Sequence, residues 1–340
     1  MSRVTISDVA RAAGVSKGVV SFALNGRPGV SAQNRERILA LAESMGWRPS
    51  SAARALSNAR ANAVGFVLAR PPELLSFEPY FREIIVGVEE VLADRGVAMV
   101  LQMVNDIETE LEVYDRWWGE RRVDGVLLSD LRQKDPRLLH LQKIGLPAAA
   151  FGLSKAQPGL AAVRSDEAIA MIEIVDHLAG LGHVRLARVA GRREFRHTSV
   201  RTRALRSEIE RRGLIDAGIR YADYTAAEAS EATRSLLTGP GTTPTAIVYD
   251  NDVMAMAGLR TLRECGLRVP EDLSIVAMGN SIYYDLIEPP ITASERDVVE
   301  FGARGARALL DVLDGMEPQT VVTPPGRLVA RSSTGPAPAG

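Results

Sequence analysis

One cysteine, Cys265, stands in 340 residues. A single thiol excludes an internal disulfide framework and any cysteine-rich zinc module, and it suits the cytoplasm. Histidine is nearly as scarce. His140, His177, His183 and His197 are scattered, with no HExxH and no other tight ligand spacing, so no metal centre is expected. No apolar run approaches the ~18 residues of a membrane span. The opening MSRVTISDVARAAG lacks the apolar stretch of a signal peptide, so no membrane partner is expected. The motifs GxGxxG and GxxxxGK[ST] are missing too and no strand-to-helix GxSxG elbow is present, which counts against a nucleotide cofactor and against the commoner enzymes of α/β scaffolds.

What is present is an ordinary soluble composition, 46% hydrophobic and 24% charged, in a chain long enough for about two domains at roughly 150 residues each. The formal net charge of −1 hides an asymmetry. Residues 1–60 carry nine basic and three acidic side chains, a net of +6; the other 280 carry 32 and 39, a net of −7. A small cationic module joined to a larger acidic one fits a nucleic-acid binder, and it also fits a plain solvated basic face.

The first sixty residues resolve that choice by pattern. Thr5-x-x-Asp8 fits a capping box for a helix that runs to about Ala13 and ends at Gly14, with Ile6, Val9, Ala10 and Ala13 on one face. Ser16 caps a second helix over about 17–24, and Ser31 caps a third over about 32–45 with Ile38, Leu41, Ala42 and Met45 as its apolar stripe. Two short helices across a tight glycine turn are the helix-turn-helix signature, in which the start of the second helix enters the major groove. There Lys17 can donate to guanine O6 and N7, Ser21 to a base or phosphate, Gly18 permits close approach, and Phe22 can touch a thymine methyl. Thr5, Ser16, Asn25 and Ser31 are placed to hold phosphates, or only to cap and turn; Ile6 and Arg35 complete the candidate DNA-facing set. After Trp47-Arg48-Pro49, residues 50–56 read as a helix too short to stand alone, a natural switch that forms with DNA and a partner copy.

Residues 4–56, VTISDVARAAGVSKGVVSFALNGRPGVSAQNRERILALAESMGWRPSSAARAL, resemble without gaps the headpiece of the lactose/galactose-repressor (LacI/GalR) family. The resemblance implies that two hinge helices pair in the minor groove, with Leu56 as an apolar wedge and Ala53 beside it. Phe22 stands where the family usually has arginine, which puts the usual guanine contact in question and points to an altered half-site.

Beyond residue 60, apolar β-rich runs (63–69, 97–103, 125–128, 146–151, 186–190, 245–249, 273–278) alternate with helical stretches. Two successive runs of βα units mean two doubly wound parallel sheets in an α/β fold, with a ligand cleft between facing sheets. HLAGLGH, TAIVYDNDVMAMAGL and VPEDLSIVAMGN through EPPITA resemble segments of the type I periplasmic-binding-protein fold, the effector domain of the same family. The expected organisation is a headpiece at 1–48, a hinge at 49–60, and an effector and dimerisation domain at 61–334. Its first lobe spans about 61–162 and 291–319, and its second about 163–290 and 320–334. A flexible tail follows at 335–340, with no coiled-coil heptad before it.

By position against these segments, Arg201, Tyr224, Asn251 and Asp252 are the strongest effector-binding candidates, and Phe77, Tyr80 and Phe81 weaker ones. An arginine fork, an aromatic platform and an amide–carboxylate pair suit a sugar or nucleoside-like ring. Alternatively Arg201 pairs with local acids, Tyr224 packs, and Asn251-Asp252 caps a helix. Where the family places an aspartate after the strand 273–278, this chain has Gly279 and then Asn280, so an ordinary hexose is less expected and loss of effector sensing is open. The expected function is a cytoplasmic, homodimeric, effector-controlled repressor on a palindromic DNA operator, inducer or corepressor undecided. The rivals are a DNA-binding protein that senses nothing and an enzyme on a doubly wound scaffold.

Overall fold

A computed structural model describes residues 4–24, 26–47, 60–70, 79–239 and 241–338. The chain divides into two compact units, Met1–Ala61 and Asn62–Gly340. In the first, α1 (Ile6–Ala13), α2 (Lys17–Leu24) and α3 (Ala32–Ser44) surround a core of Val9, Ala10, Ala13, Val20, Ala23, Ile38 and Ala42. Each start is fixed locally. Thr5 and Asp8 form a reciprocal capping box, and Gly14 ends α1 in the left-handed region at φ 65°. The short hinge helix anticipated at 50–56 lies outside the described residues.

The second unit holds two six-stranded sheets. The first contains β1 (Ala63–Ala69), β2 (Ala98–Val104), β3 (Gly125–Leu128), β4 (Ala148–Phe151), β5 (Leu160–Arg164) and β11 (Thr320–Val322), all parallel, in the order β11-β5-β4-β3-β1-β2. The second contains β6 (Arg185–Ala190), β7 (Ile215–Tyr221), β8 (Ala246–Tyr249), β9 (Ser274–Met278), β10 (Thr292–Glu295) and β12 (Arg327–Val329), in the order β12-β10-β9-β8-β6-β7, with only β12 antiparallel to its neighbour. Buried on both faces, β1, β3, β4, β8 and β9 read as continuous apolar runs. Helices α4 (Pro79–Asp94), α5 (Ile107–Gly119) and α6 (Pro136–Ile144) accompany the first sheet. Helices α7 (Glu167–Gly180), α8 (Arg196–Arg212), α9 (Ala226–Thr238) and α10 (Asp252–Glu264) accompany the second.

Helix α11 (Val298–Leu313) returns to the first lobe and packs on α4. Gly87 and Gly302 permit that approach, because a β-carbon on either would fall inside the other helix's backbone. The chain thus crosses between lobes three times, but at slightly different places from those expected. Residues 292–295 belong to the second sheet, since β10 pairs with β9, and residues 320–322 belong to the first, since β11 pairs with β5. These strands are three and four residues long, too short to show a period in sequence.

The expectation of a flexible tail is corrected through Ala337. Gly335 N–H donates to Ser274 Oγ (3.2 Å), its carbonyl meets His183 Nε2 (3.1 Å), and Ala337 N–H donates to the Leu181 carbonyl (2.9 Å). Its proline- and glycine-rich composition cannot build a core, but it needs none where existing loops supply the hydrogen-bond partners, and proline has little entropy to lose.

Candidate DNA-reading face and candidate ligand cleft

On the first unit, Lys17, Gly18 and Phe22 are exposed on α2, with Ser21 half-buried beside them. The ring of Phe22 lies against Gly29, whose φ of 107° makes the following turn possible. Three of the candidate hydroxyls cap helices: Thr5 Oγ1 and Ser31 Oγ accept from Asp8 and Asn34 N–H (3.4 and 3.3 Å), and Ser16 Oγ accepts from Val19 N–H (3.3 Å). Arg35 donates to the Arg27 carbonyl (2.7 Å), tying α3 to the turn after α2, and Ile6 packs against the core. Asn25, Ala53 and Leu56 lie outside the described residues.

The second unit contains a cavity of about 280 Å³ between its two sheets. Of the residues anticipated there, Tyr80, Phe81, Arg201, Tyr224, Asn251, Asp252 and Asn280 all line it; Phe77 lies outside the described residues. Topology explains the convergence. In open α/β sheets, ligands bind beyond the carboxyl ends of the strands where the strand order reverses. The first sheet reverses between β1 and β3, and the second between β6 and β8. An arginine–aspartate pair sits at each. Arg70, just past β1, donates to Asp130, just past β3 (2.8 Å). Arg188 on β6 donates twice to Asp250, just past β8 (2.8 and 2.7 Å), and Gly191 N–H donates to the same carboxylate (2.8 Å). Burial raises both aspartates, yet the facing guanidiniums hold each below the usual carboxylate range.

Arg201 stands in two settings at once. It lines the cavity, and it is bound to acids: Glu167 at 2.6 Å and Asp250 at 3.8 Å. Arg296 takes the other oxygen of Glu167 (2.7 Å). Against a strong desolvation cost, those two arginines hold the Glu167 carboxyl far below its ordinary value. Its fork so engaged, Arg201 positions Glu167 and Asp250.

Aromatic rings occupy the space between. The Arg70 guanidinium lies 4.6 Å from the Tyr224 ring centroid and 5.3 Å from that of Phe195. Tyr224 holds φ 74°, and its ring fits because Gly191 beneath it has no side chain. His197 meets the Tyr224 hydroxyl at 2.8 Å; burial, with Arg201 nearby, pushes the imidazole down to about 4. Asn251 caps α10 by accepting from Met254 N–H (2.9 Å), and Asp252 is the first residue inside the helix rather than its cap. The Asp252 carboxyl is raised by burial, and its Oδ2 has no hydrogen-bond partner. Gly279 lines the cavity with open space where a side chain would stand, and Asn280 donates to Glu295 (2.9 Å).

The sequence reading missed Arg70, Asp130, Arg188, Glu167, Asp250, Arg296 and His197. A usable signal existed for three of them: Arg70, Asp130 and Asp250 are the first charges after three apolar strands.

A helix-turn-helix unit carried by the same chain as a two-lobed cleft domain defines a class, the two-unit type of DNA-binding transcriptional regulator. Comparison with known proteins makes this specific. Residues 5–50 match the model for bacterial regulatory proteins of the lacI family, and residues 175–334 match the periplasmic binding protein-like domain. The chain is 31% identical over 339 residues to the HTH-type transcriptional regulator CelR of Thermobifida fusca, covering 96% of this chain and 95% of that one. It is 28% identical over 340 residues to the regulator DegA of Bacillus subtilis (strain 168), covering 98% and 99%. Among solved structures, a CelR–cellobiose complex matches at 30% identity with a TM-score of 0.74, covering 97% of this chain and 100% of that one. The chain belongs to the LacI family. It is a DNA-binding transcriptional regulator and not an enzyme. Among the described residues, no helix is long and apolar enough to cross a membrane.

Proposed function

We propose that the protein is a cytoplasmic repressor that binds a palindromic operator as a homodimer and is controlled by a small polar metabolite held between its lobes. The cleft carries this reading. Its walls come from both sheets, so a ligand there binds one lobe arrangement better than another. That differential affinity is what couples a cleft to a DNA-binding unit. The cellobiose complex of CelR, a relative over the full chain, supports a sugar-like ligand. On the DNA side, Lys17, Gly18, Ser21 and Phe22 read bases, Thr5, Ser16, Asn25 and Ser31 with Ile6 and Arg35 set the headpiece on the backbone, and Ala53 and Leu56 enter the minor groove. In the cleft, Tyr80, Phe81, Tyr224, Asn251, Asp252 and Asn280 face the effector, with Phe77 from the preceding segment and Arg201 behind them.

Two observations favour a second reading, a regulator whose cleft senses nothing: the missing side chain at Gly279, and the engagement of Arg201 by Glu167. One experiment separates the two and tests the hinge. Sites selected from random DNA by the purified protein should be palindromic, and a metabolite should change affinity for them saturably in fluorescence anisotropy. Leu56→Ala should weaken the selected site far more than scrambled DNA. Equal losses on both would remove the wedge assignment, and indifference to every metabolite class would leave the non-sensing reading.

A further inference from the structure

The cleft's charges mostly cancel in pairs. Arg70 pairs with Asp130, Arg188 with Asp250, and Arg201 and Arg296 with Glu167. Two lining arginines have no acidic partner among the described residues. Arg164 closes β5, makes no ion pair, and has a buried Nε with no hydrogen-bond acceptor. Arg196 opens α8, and its guanidinium donates to a neutral group, Ser154 Oγ (3.2 Å). The fold brings these two cations to one place. Strands β4 and β5 are neighbours, and Gly152 N–H donates to the Val163 carbonyl (2.7 Å). Ser154, two residues further on, therefore ties the head of Arg196 to the segment that leaves β4 next to the end of β5, and both arginines line the one cavity.

We propose that the effector is a sugar bearing a carboxylate, an aldonic or uronic acid, and that Arg164 and Arg196 bind that carboxylate. The assignment rests on reading the cleft as an effector site. A buried guanidinium nitrogen without an acceptor is costly, and a carboxylate supplies charge-assisted hydrogen bonds in the fork geometry that arginine offers. The rest of the cavity fits the rest of such a molecule. Tyr80 and Phe301, the rings that flank Arg296 at 5.1 and 5.3 Å, offer flat apolar surface to a sugar face. The Asp252 carboxyl, with Oδ2 unpartnered, accepts from hydroxyls. A monoanion suits better than a phosphate dianion, because Asp166, two residues beyond Arg164, also lines the cavity and repels a second charge. The empty position at Gly279 agrees: a carboxylate side chain there would oppose an acidic ligand.

Calorimetric titration and thermal shift of the full-length protein test this with D-glucuronate, D-galacturonate and D-gluconate, with neutral D-glucose and D-galactose, and with glucose 6-phosphate. At least one acid should raise the unfolding midpoint saturably and bind ten-fold or more tightly than its neutral parent. Arg164→Gln should erase that preference while Arg164→Lys keeps part of it; where Arg164→Gln does not fold, acid against neutral parent on the wild type decides. If a neutral sugar binds as well as its acid, the carboxylate assignment falls and the effector cleft stands. Tighter binding of the phosphate also overturns it. If no probe shifts the protein, the carboxylate assignment falls, and the effector reading is decided by the wider metabolite screen.

Discussion

The reading helix and the cleft are positioned by opposite means. In the three-helix unit, each capping contact spans three residues: Thr5 to Asp8, Ser16 to Val19, Ser31 to Asn34. In the cleft, the partners lie 60 residues apart for Arg70 and Asp130, 62 for Arg188 and Asp250, and 129 for Glu167 and Arg296. Local contacts act singly, are solvent-exposed, and fail gradually. The cleft pairs are buried and share carboxylates, so the loss of one member strands the others. The difference predicts how each region breaks.

The largest effect belongs to Asp250. It is 3% exposed, its carboxylate accepts from Arg188 and from the Gly191 N–H, and Arg201 stands by as an ion-pair neighbour at 3.8 Å. Asp250→Ala leaves Arg188, itself 0% exposed, as an uncompensated charge. Breaking a buried pair from one side costs about 3–5 kcal/mol. Urea denaturation of the two-lobed unit should show that loss, and an Arg188→Met/Asp250→Leu double variant should recover most of it. A loss under about 1 kcal/mol, the scale of an exposed pair, would mean the pair is solvated and the contrast with the headpiece is false.

Next comes the headpiece core. Ile38 is fully buried among seven buried side chains. Ile38→Ala costs about 2–4 kcal/mol. A unit this small has only a few kcal/mol in hand. Specific DNA binding should vanish while the two-lobed unit melts as in the wild type, read by circular dichroism and anisotropy on one sample. Simultaneous loss of both transitions would show that the two units do not fold independently.

The same contrast explains what the sequence disclosed. The headpiece was legible to the residue: the capping box, the Gly14 stop and the apolar stripes are local chemistry, and all three helices stand where the pattern placed them. The two doubly wound sheets were legible as a class, because buried parallel strands are plain apolar runs. Strand β7 was not, since IDAGIRY carries a glycine and alternates weakly; nor was α9, whose AAEASEATRSLLT buries alanine, serine and threonine rather than large apolar groups. In the cleft, the residues matched through family segments do converge, whereas which charges pair with which was not legible. Arg70 gives no local sign that Asp130 faces it, because only the strand order β3-β1-β2 makes them neighbours.

A smaller effect tests the cleft through pH. His197 has its pKa lowered from 6.5 to about 4 by burial and by Arg201, with Asp130, Glu167 and Asp250 acting the other way. The folded state therefore binds fewer protons than the unfolded state between those values. Stability is full above pH 6.5 and declines as pH falls towards about 4. His197 is only half-buried, so its share between pH 7.5 and 5.5 should be about 1 kcal/mol, below the full linkage value. His197→Gln should flatten that part of the stability curve of the two-lobed unit and leave the headpiece unchanged. An unaltered slope would place the imidazole in water.

The smallest effect distinguishes capping from phosphate contact. Ser31 Oγ accepts from Asn34 N–H at the start of α3 (3.3 Å) and is exposed. Ser31→Ala should destabilise the headpiece by about 1 kcal/mol, the usual worth of an N-cap. Aspartate caps as well as serine does and favours the positive end of a helix, so Ser31→Asp should restore that stability. DNA separates the two roles. If the hydroxyl sits at a phosphate, Ser31→Asp sets like charges together and weakens binding to operator and scrambled DNA alike, most strongly at low salt. Wild-type affinity in the stable Ser31→Asp variant would make Ser31 a cap and nothing more, and the headpiece would then grip the backbone through other groups.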